Sequence, residues 1–313
     1  MTNLLTEAPV ETARPARRGP SRVRKNGLEM PRGGRWWREV GWRHAVGLAG
    51  VAFAGFPVLY IISAAFNPLG SVATTELVPS SFSLMNFETL LGGSKGPFGT
   101  WYLNTLILCA AVSVAQVFLS TLAAYAFSRF RFYGRRGGLL ALLLVQMFPQ
   151  FLAVVALFLM IAKFGEVVPA IGLNTLAGYG LVLMGGALGQ VWLIKGFFDS
   201  IPHELDEAAR IDGAGHFRTF TSVILPLIRP VLAVTGLLVF VAVIGEYILA
   251  SIFLTDNSVK TLAVGMFGII AGDRSNNLGV FAAGSVLIAL PVLLLFLYLQ
   301  KFIVGGLTAG SVK

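Results

Sequence analysis

An all-α, polytopic membrane protein with six transmembrane helices is the fold this sequence predicts, on three observations. The 313 residues are 56% hydrophobic and only 12% charged, with a mean hydropathy of +0.77. Six long stretches are almost free of charge, and apolar runs of about eighteen residues or more read as membrane helices. Lys and Arg collect on alternate connections between those stretches. A soluble helical protein with so many uncharged runs would leave far too much apolar surface in water.

The elements follow in order. Residues 1–43 form a basic cytoplasmic tail. To about residue 34 it is rich in Pro, Arg, Gly and Thr without apolar periodicity, which predicts disorder and suits anionic headgroups. No cleavable signal peptide is expected, because the polar lead is too long and the first span is a full membrane length. "RWWREVGWRH" (35–44) alternates Trp and Arg just before that span and reads as an interfacial anchor. The transmembrane domain covers 44–304, with spans at 45–66, 101–128, 137–162, 167–194, 230–255 and 275–300. Residues 305–313 are a short C-terminal tail.

Charge placement orients the spans. Ten Lys and Arg precede the first span. Four follow the second (Arg129, Arg131, Arg135, Arg136), four lie between the fourth and fifth (Lys195, Arg210, Arg218, Arg229), and two follow the sixth (Lys301, Lys313). The opposite faces hold only Lys95, Lys163, Lys260 and Arg274. This 20-to-4 bias puts both termini in the cytoplasm. The net charge of +9 is thus an orientation signal and not a nucleic-acid footprint. The lone Cys109 makes no internal disulfide or thiolate metal site and reads as a small buried helix residue.

Polar residues interrupt the spans: Asn104, Gln116, Gln146, Gln150, Gln190 and Glu246, with Pro57, Pro149 and Pro291 as helix-disturbing positions. Such groups face other helices or a watery cavity, because facing lipid is costly. Gln146 and Gln150 are translocation-path candidates, though an interhelical hydrogen bond explains each equally well. Glu246, an intramembrane carboxylate, is a third candidate, with helix packing as its other reading. Of the outer loops, 67–100 is rich in Pro, Gly and Ser, and the second is short. The third, about 256–279, contains "TLAVGMFGIIAG", too short to span and expected at the interface or against the bundle.

One connection stands apart. Asp199, Glu204, Asp206, Glu207 and Asp212 fall within fourteen positions, a third of the chain's 15 acidic residues. Ser200 is a suitable N-cap, Pro202 fits the first turn, and Gly213 supplies a stop, so a helix is expected over 201–212. The spacing puts Ile201, Leu205, Ala208 and Ala209 on one face. Asp206, Glu207 and Arg210 share another, with Asp206 and Arg210 at i,i+4. After the turn at 213–215 a second short helix is expected to group Phe217, Phe220 and Ile224 and to end at Pro226. The pair is shaped to dock on another protein.

Glu207, Ala208, Ala209, Gly213, Leu225 and Pro226, with Val223 where Ile is usual, resemble the EAA-loop signature (here 199–228) of membrane subunits in binding-protein-dependent ATP-binding-cassette importers. "AYAFSRFRF" (124–132), "QMFP" (146–149), "GEVVPAIGLNT" (165–175), "VWLIKGFF" (191–198), "TLAVGM" (261–266) and "GGLTAGSVK" (305–313) are similar to the maltose/maltodextrin-type permease family, specifically its smaller membrane subunit. The long basic tail departs from that pattern. The resemblance implies a type I importer permease fold in a bacterial cytoplasmic membrane. It implies four kinds of partner: a second homologous permease, two ATP-binding-cassette ATPases, an extracytoplasmic sugar-binding protein and the lipid bilayer. ATP and magnesium belong to the ATPase, so no cofactor is expected in this chain. Glu207 would meet a basic residue of the ATPase, with Ala208, Ala209, Asp212, Gly213, Leu225 and Pro226 completing the coupling site. Asp273, Arg274, Asn276 and Asn277 would form the loop that contacts the binding protein, and 305–313 would lie against the ATPases. The loop's other reading is a plain connector.

Other classes fit less well. "HELDE" (203–207) lacks the second His of a zincin helix, so an intramembrane hydrolase of that kind is not expected. An ion-coupled sugar carrier using Glu246 is the alternative, and it leaves the acidic connection without a purpose. The chain carries no phosphate-binding Gly-x4-Gly-Lys-Ser/Thr loop, so its energy must come from a partner.

Overall fold

The computed structural model describes residues 34–68 and 81–309, and among them there is no strand. The expected tail over 1–33, the middle of the first outer loop and residues 310–313 lie outside the described residues. The chain divides into two units, Met1–Val58 and Leu59–Lys313. In the first, Gly34–Trp36 leads into a π-helical turn, Trp37–Gly41. There Trp36 stands edge-on to Trp37 at 5.3 Å and near His44 at 5.8 Å.

Helix α1 is Trp42–Phe66 and keeps Pro57 inside it. Then come α2 (Met85–Leu91), α3 (Phe98–Arg129), α4 (Arg135–Met147), α5 (Val154–Val167), α6 (Leu176–Met184) and α7 (Ala187–Ser200). The rest are α8 (Glu204–Ile211), α9 (His216–Leu227, π-helical over Thr219–Ile224), α10 (Arg229–Ile244), α11 (Ile248–Phe253), α12 (Leu262–Gly272) and α13 (Arg274–Ala309). α13 runs straight through residue 305, where a separate tail was expected to begin.

Among the described residues, three helices are long and apolar enough to cross a membrane: α1, α3 and the Asn276–Phe302 part of α13. The pairs α6 and α7, bent by 44°, and α9 and α10, bent by 75°, raise the number to five if each pair is one span. The stretch expected as the third span is not one helix. Phe148 turns extended, Pro149 follows, and a 3-10 turn over Gln150–Ala153 separates α4 from α5. Proline lacks the N–H that would continue the ladder. Each half is about 20 Å long, short of the ~30 Å hydrocarbon core. The fourth stretch starts later than expected, because Pro169–Ile171 forms a 3-10 turn and Asn174 takes a left-handed conformation with φ of 54°. Thr175 then caps α6 by accepting the N–H of Gly178 at 3.0 Å.

α3 is the axis of the second unit. Near its start, Phe98 and Trp101 join Ala65, Leu90, Leu262, Met266, Ile269 and Val280 in one core cluster. At its middle, Leu108, Cys109 and Val112 pack with Ile161, Tyr179, Val239, Val243 and Phe253. Toward its end, Ala124 and Tyr125 pack with Val191, Ile194, Phe198, Phe220 and Ile224. The apolar segment "TLAVGMFGIIAG" is α12 and packs on the bundle, as Leu262, Met266 and Ile269 show. The approach is close: a Cβ on Gly265 would stand 2.1 Å from the Trp101 ring.

Candidate coupling site

Helix α8, the expected coupling helix, starts later than its sequence suggests. Ser200 ends α7 instead of capping α8, Pro202 precedes it, and His203 occupies the cap position without a side-chain bond. The end of α8 follows the expected design. Gly213 has φ of +79°, its N–H bonds the Arg210 carbonyl at 3.0 Å, and the Ala214 N–H bonds the Ala209 carbonyl at 2.9 Å. These are the two bonds of a Schellman cap.

The faces of α8 differ from the expectation in a way that matters. Asp206 and Ala209 are buried and the other six residues of α8 are exposed. Of these six, Glu204, Glu207, Ala208 and Ile211 fall at i, i+3, i+4 and i+7, one continuous stripe. Asp206 therefore does not share a solvent face with Glu207, and its partner is not Arg210. It pairs with Arg129, the last residue of α3, with Nε and Oδ2 3.1 Å apart and both side chains buried. This contact is an ion pair without the angle of a hydrogen bond. The same guanidinium donates through Nη2 to the Ile201 carbonyl at 3.0 Å, and its Nη1 lies 3.2 Å and 3.3 Å from the His203 ring nitrogens.

Ser128, one residue earlier, donates to Asp199 at 2.6 Å, and Lys195 holds the other oxygen of that carboxylate. Behind α8, Phe220 and Ile224 are buried and Tyr125 lies 4.6 Å from the Phe220 ring. Phe217 does not join them and is 80% exposed. α9 ends at Leu227, one residue past Pro226, and the chain bends at Ile228, close to the stop expected at Pro226. The arrangement is a helix fixed along its back and offering two carboxylates, a small side chain and the large apolar Ile211 along its front, with the exposed Phe217 following on α9.

The other candidates separate. Glu246 sits between α10 and α11, where its carboxylate accepts the Leu249 and Ala250 N–H groups at 2.8 Å and 2.9 Å and bonds the Tyr179 hydroxyl. It caps α11. Gln146 is exposed and donates to the Leu188 carbonyl at 3.3 Å; the side chain of Gln150 lies outside the described residues. The segment carrying Asp273, Arg274, Asn276 and Asn277 is not a loop, because Asp273 alone separates α12 from α13. Asn277 is buried and donates to the Ile269 carbonyl at 2.8 Å; Asn276 donates back to Asp273 at 2.7 Å. Arg274 is exposed.

Two groups escaped the sequence reading. Arg129 lay inside a quoted motif without a role; a basic residue closing a long span, with the acid Asp206 in register with Ala209, was the available signal. Asn174 accepts the Thr255 N–H and hydroxyl at 2.7 Å and 2.9 Å and the Asp256 N–H at 3.2 Å. Its left-handed backbone has no sequence signal beyond Asn itself.

A membrane bundle with an outward-facing acidic helix defines a class, that of transport-system membrane components. The family model described as "Binding-protein-dependent transport system inner membrane component" matches residues 116–307. The chain belongs to this family and is a multi-pass membrane protein. It is 40% identical over 258 residues to the maltodextrin transport system permease protein MdxG of Bacillus subtilis (strain 168), covering 82% of this chain and 90% of that one. It is 42% identical over 269 residues to the maltose/maltodextrin transport system permease protein MalG of Vibrio vulnificus (strain YJ016), with the same coverage. A solved bacterial ABC transporter involved in the import of the acidic polysaccharide alginate superposes with a TM-score of 0.69 over 87% of this chain and 99% of that one. At 24% identity that likeness establishes the fold, which is of the type I importer permease kind.

Proposed function

We propose that this chain is the permease subunit of an ATP-binding-cassette importer that moves maltose- or maltodextrin-class sugars into the cytoplasm. It works with a second permease, two ATPases and an extracytoplasmic sugar-binding protein, and holds no nucleotide itself. Both termini and α8 face the cytoplasm, following the distribution of basic residues. The single observation that carries this reading is the front of α8, where Glu204, Glu207, Ala208 and Ile211 form an exposed stripe on a helix anchored from behind. Glu207 makes a charge-assisted contact in a groove of the ATPase, and the exposed Ile211 and Phe217 supply the apolar area around it. The ion-coupled alternative is disfavoured because Glu246 is engaged by Tyr179 and two backbone N–H groups.

The test is purification of the tagged chain from membranes with identification of its companions, followed by vesicle uptake of radiolabelled maltose and maltotriose. An ATPase and a second permease should copurify, and Glu207→Lys should abolish uptake while the chain still inserts. Full uptake by Glu207→Lys would refute the docking reading. Uptake without any ATPase would refute the class.

A further inference from the structure

α3 differs from the other long helices. α1 contains Pro57 and α13 contains Pro291, whereas α3 runs 32 residues with no proline and with Gly99 at its first turn as its sole glycine. Such a helix is about 48 Å long, bends little, and has no hinge built into it. Among the described residues it alone contributes buried side chains to all three core clusters.

Both of its ends are tied to other segments by side chains it supplies. At one end, Ser128 and Arg129 hold Asp199, Ile201 and Asp206, gripping the chain on either side of the turn that leads into α8. At the other, Trp101 Nε1 donates to the Asn257 carbonyl at 3.0 Å. Asn104 Nδ2 donates to the carbonyls of Ser258 and Lys260 at 3.0 Å and 3.1 Å, and the Thr105 hydroxyl accepts the Leu262 N–H at 2.7 Å. Segment 257–262 therefore hangs by its backbone from α3. Backbone bonds of this kind fix position regardless of the segment's own side chains, and the polar groups concerned are largely shielded from water, where an unmade bond is costly.

We infer that α3 is a rigid strut joining the coupling helix to segment 257–262, with Arg129 and Asn104 as the positioning residues at its two ends. The inference rests on the function proposed above, which puts those ends on opposite sides of the membrane. When the ATPases close and displace α8, the buried Arg129–Asp206 pair carries the displacement into α3. Asn104 delivers it to 257–262, on the far side of the membrane under that reading. The three carbonyls held by Trp101 and Asn104 move as one group.

The experiment uses the complete reconstituted complex with its sugar-loaded binding protein. An environment-sensitive fluorophore is placed on Ser258→Cys in a Cys109→Ser background; the Ser258 side chain is exposed. In the otherwise unmodified complex the fluorescence should change when a non-hydrolysable ATP analogue is added. Arg129→Lys, which keeps the charge but loses the fork, and Asn104→Ser should each assemble with the ATPases. Each should lower binding-protein-stimulated ATP hydrolysis about tenfold, the usual size of coupling between linked sites, and each should remove the response at 258. The double substitution should be no worse than the more severe single one, because a strut released at one end transmits nothing from the other. A normal response at 258 in both single variants, or strictly additive losses, overturns the strut. If the unmodified complex lacks an ATPase or binding-protein stimulation, the function proposed above fails first. If it has both and the variants behave normally, only the strut is wrong.

Discussion

The carboxylate of Glu246 accepts the backbone N–H of Ala250 at 2.9 Å, closing a break in the membrane helix onto itself. The acid that looked most like an ion-coupling group is thereby a helix cap. The Leu249 N–H bonds Oε1 and the Ala250 N–H bonds Oε2, so Glu246→Gln keeps one of the two acceptors, and uptake should be reduced but persist and show no response to an imposed pH gradient. Glu246→Leu uncaps α11 and should destabilise the protein by roughly 1–3 kcal/mol, the cost of leaving buried polar groups unpaired. Thermal unfolding and vesicle uptake with and without the gradient measure both. Loss of uptake in Glu246→Gln alone would restore the carrier reading.

Gly213 stands at φ of +79° with open space where a Cβ would go. The demand is therefore on backbone conformation and not on room. Gly213→Asn should be nearly neutral, whereas Gly213→Val should cost about 1–2 kcal/mol in local stability and tilt the end of α8. Sugar uptake should follow the same order. Equal uptake in the two variants would show that the cap is irrelevant to docking.

Asn277 and Arg274 are close in sequence and should behave differently. Asn277→Ala leaves the Ile269 carbonyl unpaired in a buried corner and should lower stability by roughly 1–3 kcal/mol. Arg274→Ala should leave the unfolding temperature unchanged and weaken stimulation of ATP hydrolysis at low binding-protein concentration. A stability loss at Arg274 with normal stimulation would remove it from the contact surface. Deleting 275–277 is a poor test, because it takes almost a full turn out of α13.

The basic-residue distribution makes a separate prediction about orientation. In a Cys109→Ser background, Lys95→Cys should react with a membrane-impermeant thiol reagent in intact cells, and Arg210→Cys should react only after lysis. Reaction of Arg210→Cys in intact cells would invert the topology.

The apolar runs made the helical class legible, and the Glu-Ala-Ala and Gly spacing located α8 and its Schellman cap. The faces of α8 were less so. Polarity grouped Asp206 with Glu207, yet burial of Asp206 depends on Arg129, far away in sequence. A one-dimensional pattern cannot show that a charge has a partner on another helix. Pro149 was legible as a helix-disturbing position, but the breaks at Asn174 and after Ile244 were hidden for a related reason: hydropathy ignores backbone dihedrals, so a run can be oily throughout and still stop being helical. Asn104 was read as facing another helix or a watery cavity, but it and Thr105 serve the backbone of a connection.

Ile211 is 86% exposed and Phe217 80% exposed, and the proposed function puts both outside the zone that lipid covers. Their fate depends on stoichiometry. Under the proposed function, a subunit with its ATPase seated would hide both side chains, while an orphan copy would show them to chaperones and proteases. The proposed docking surface would then also report whether assembly has finished, and surplus copies made without ATPase should be the first to be cleared.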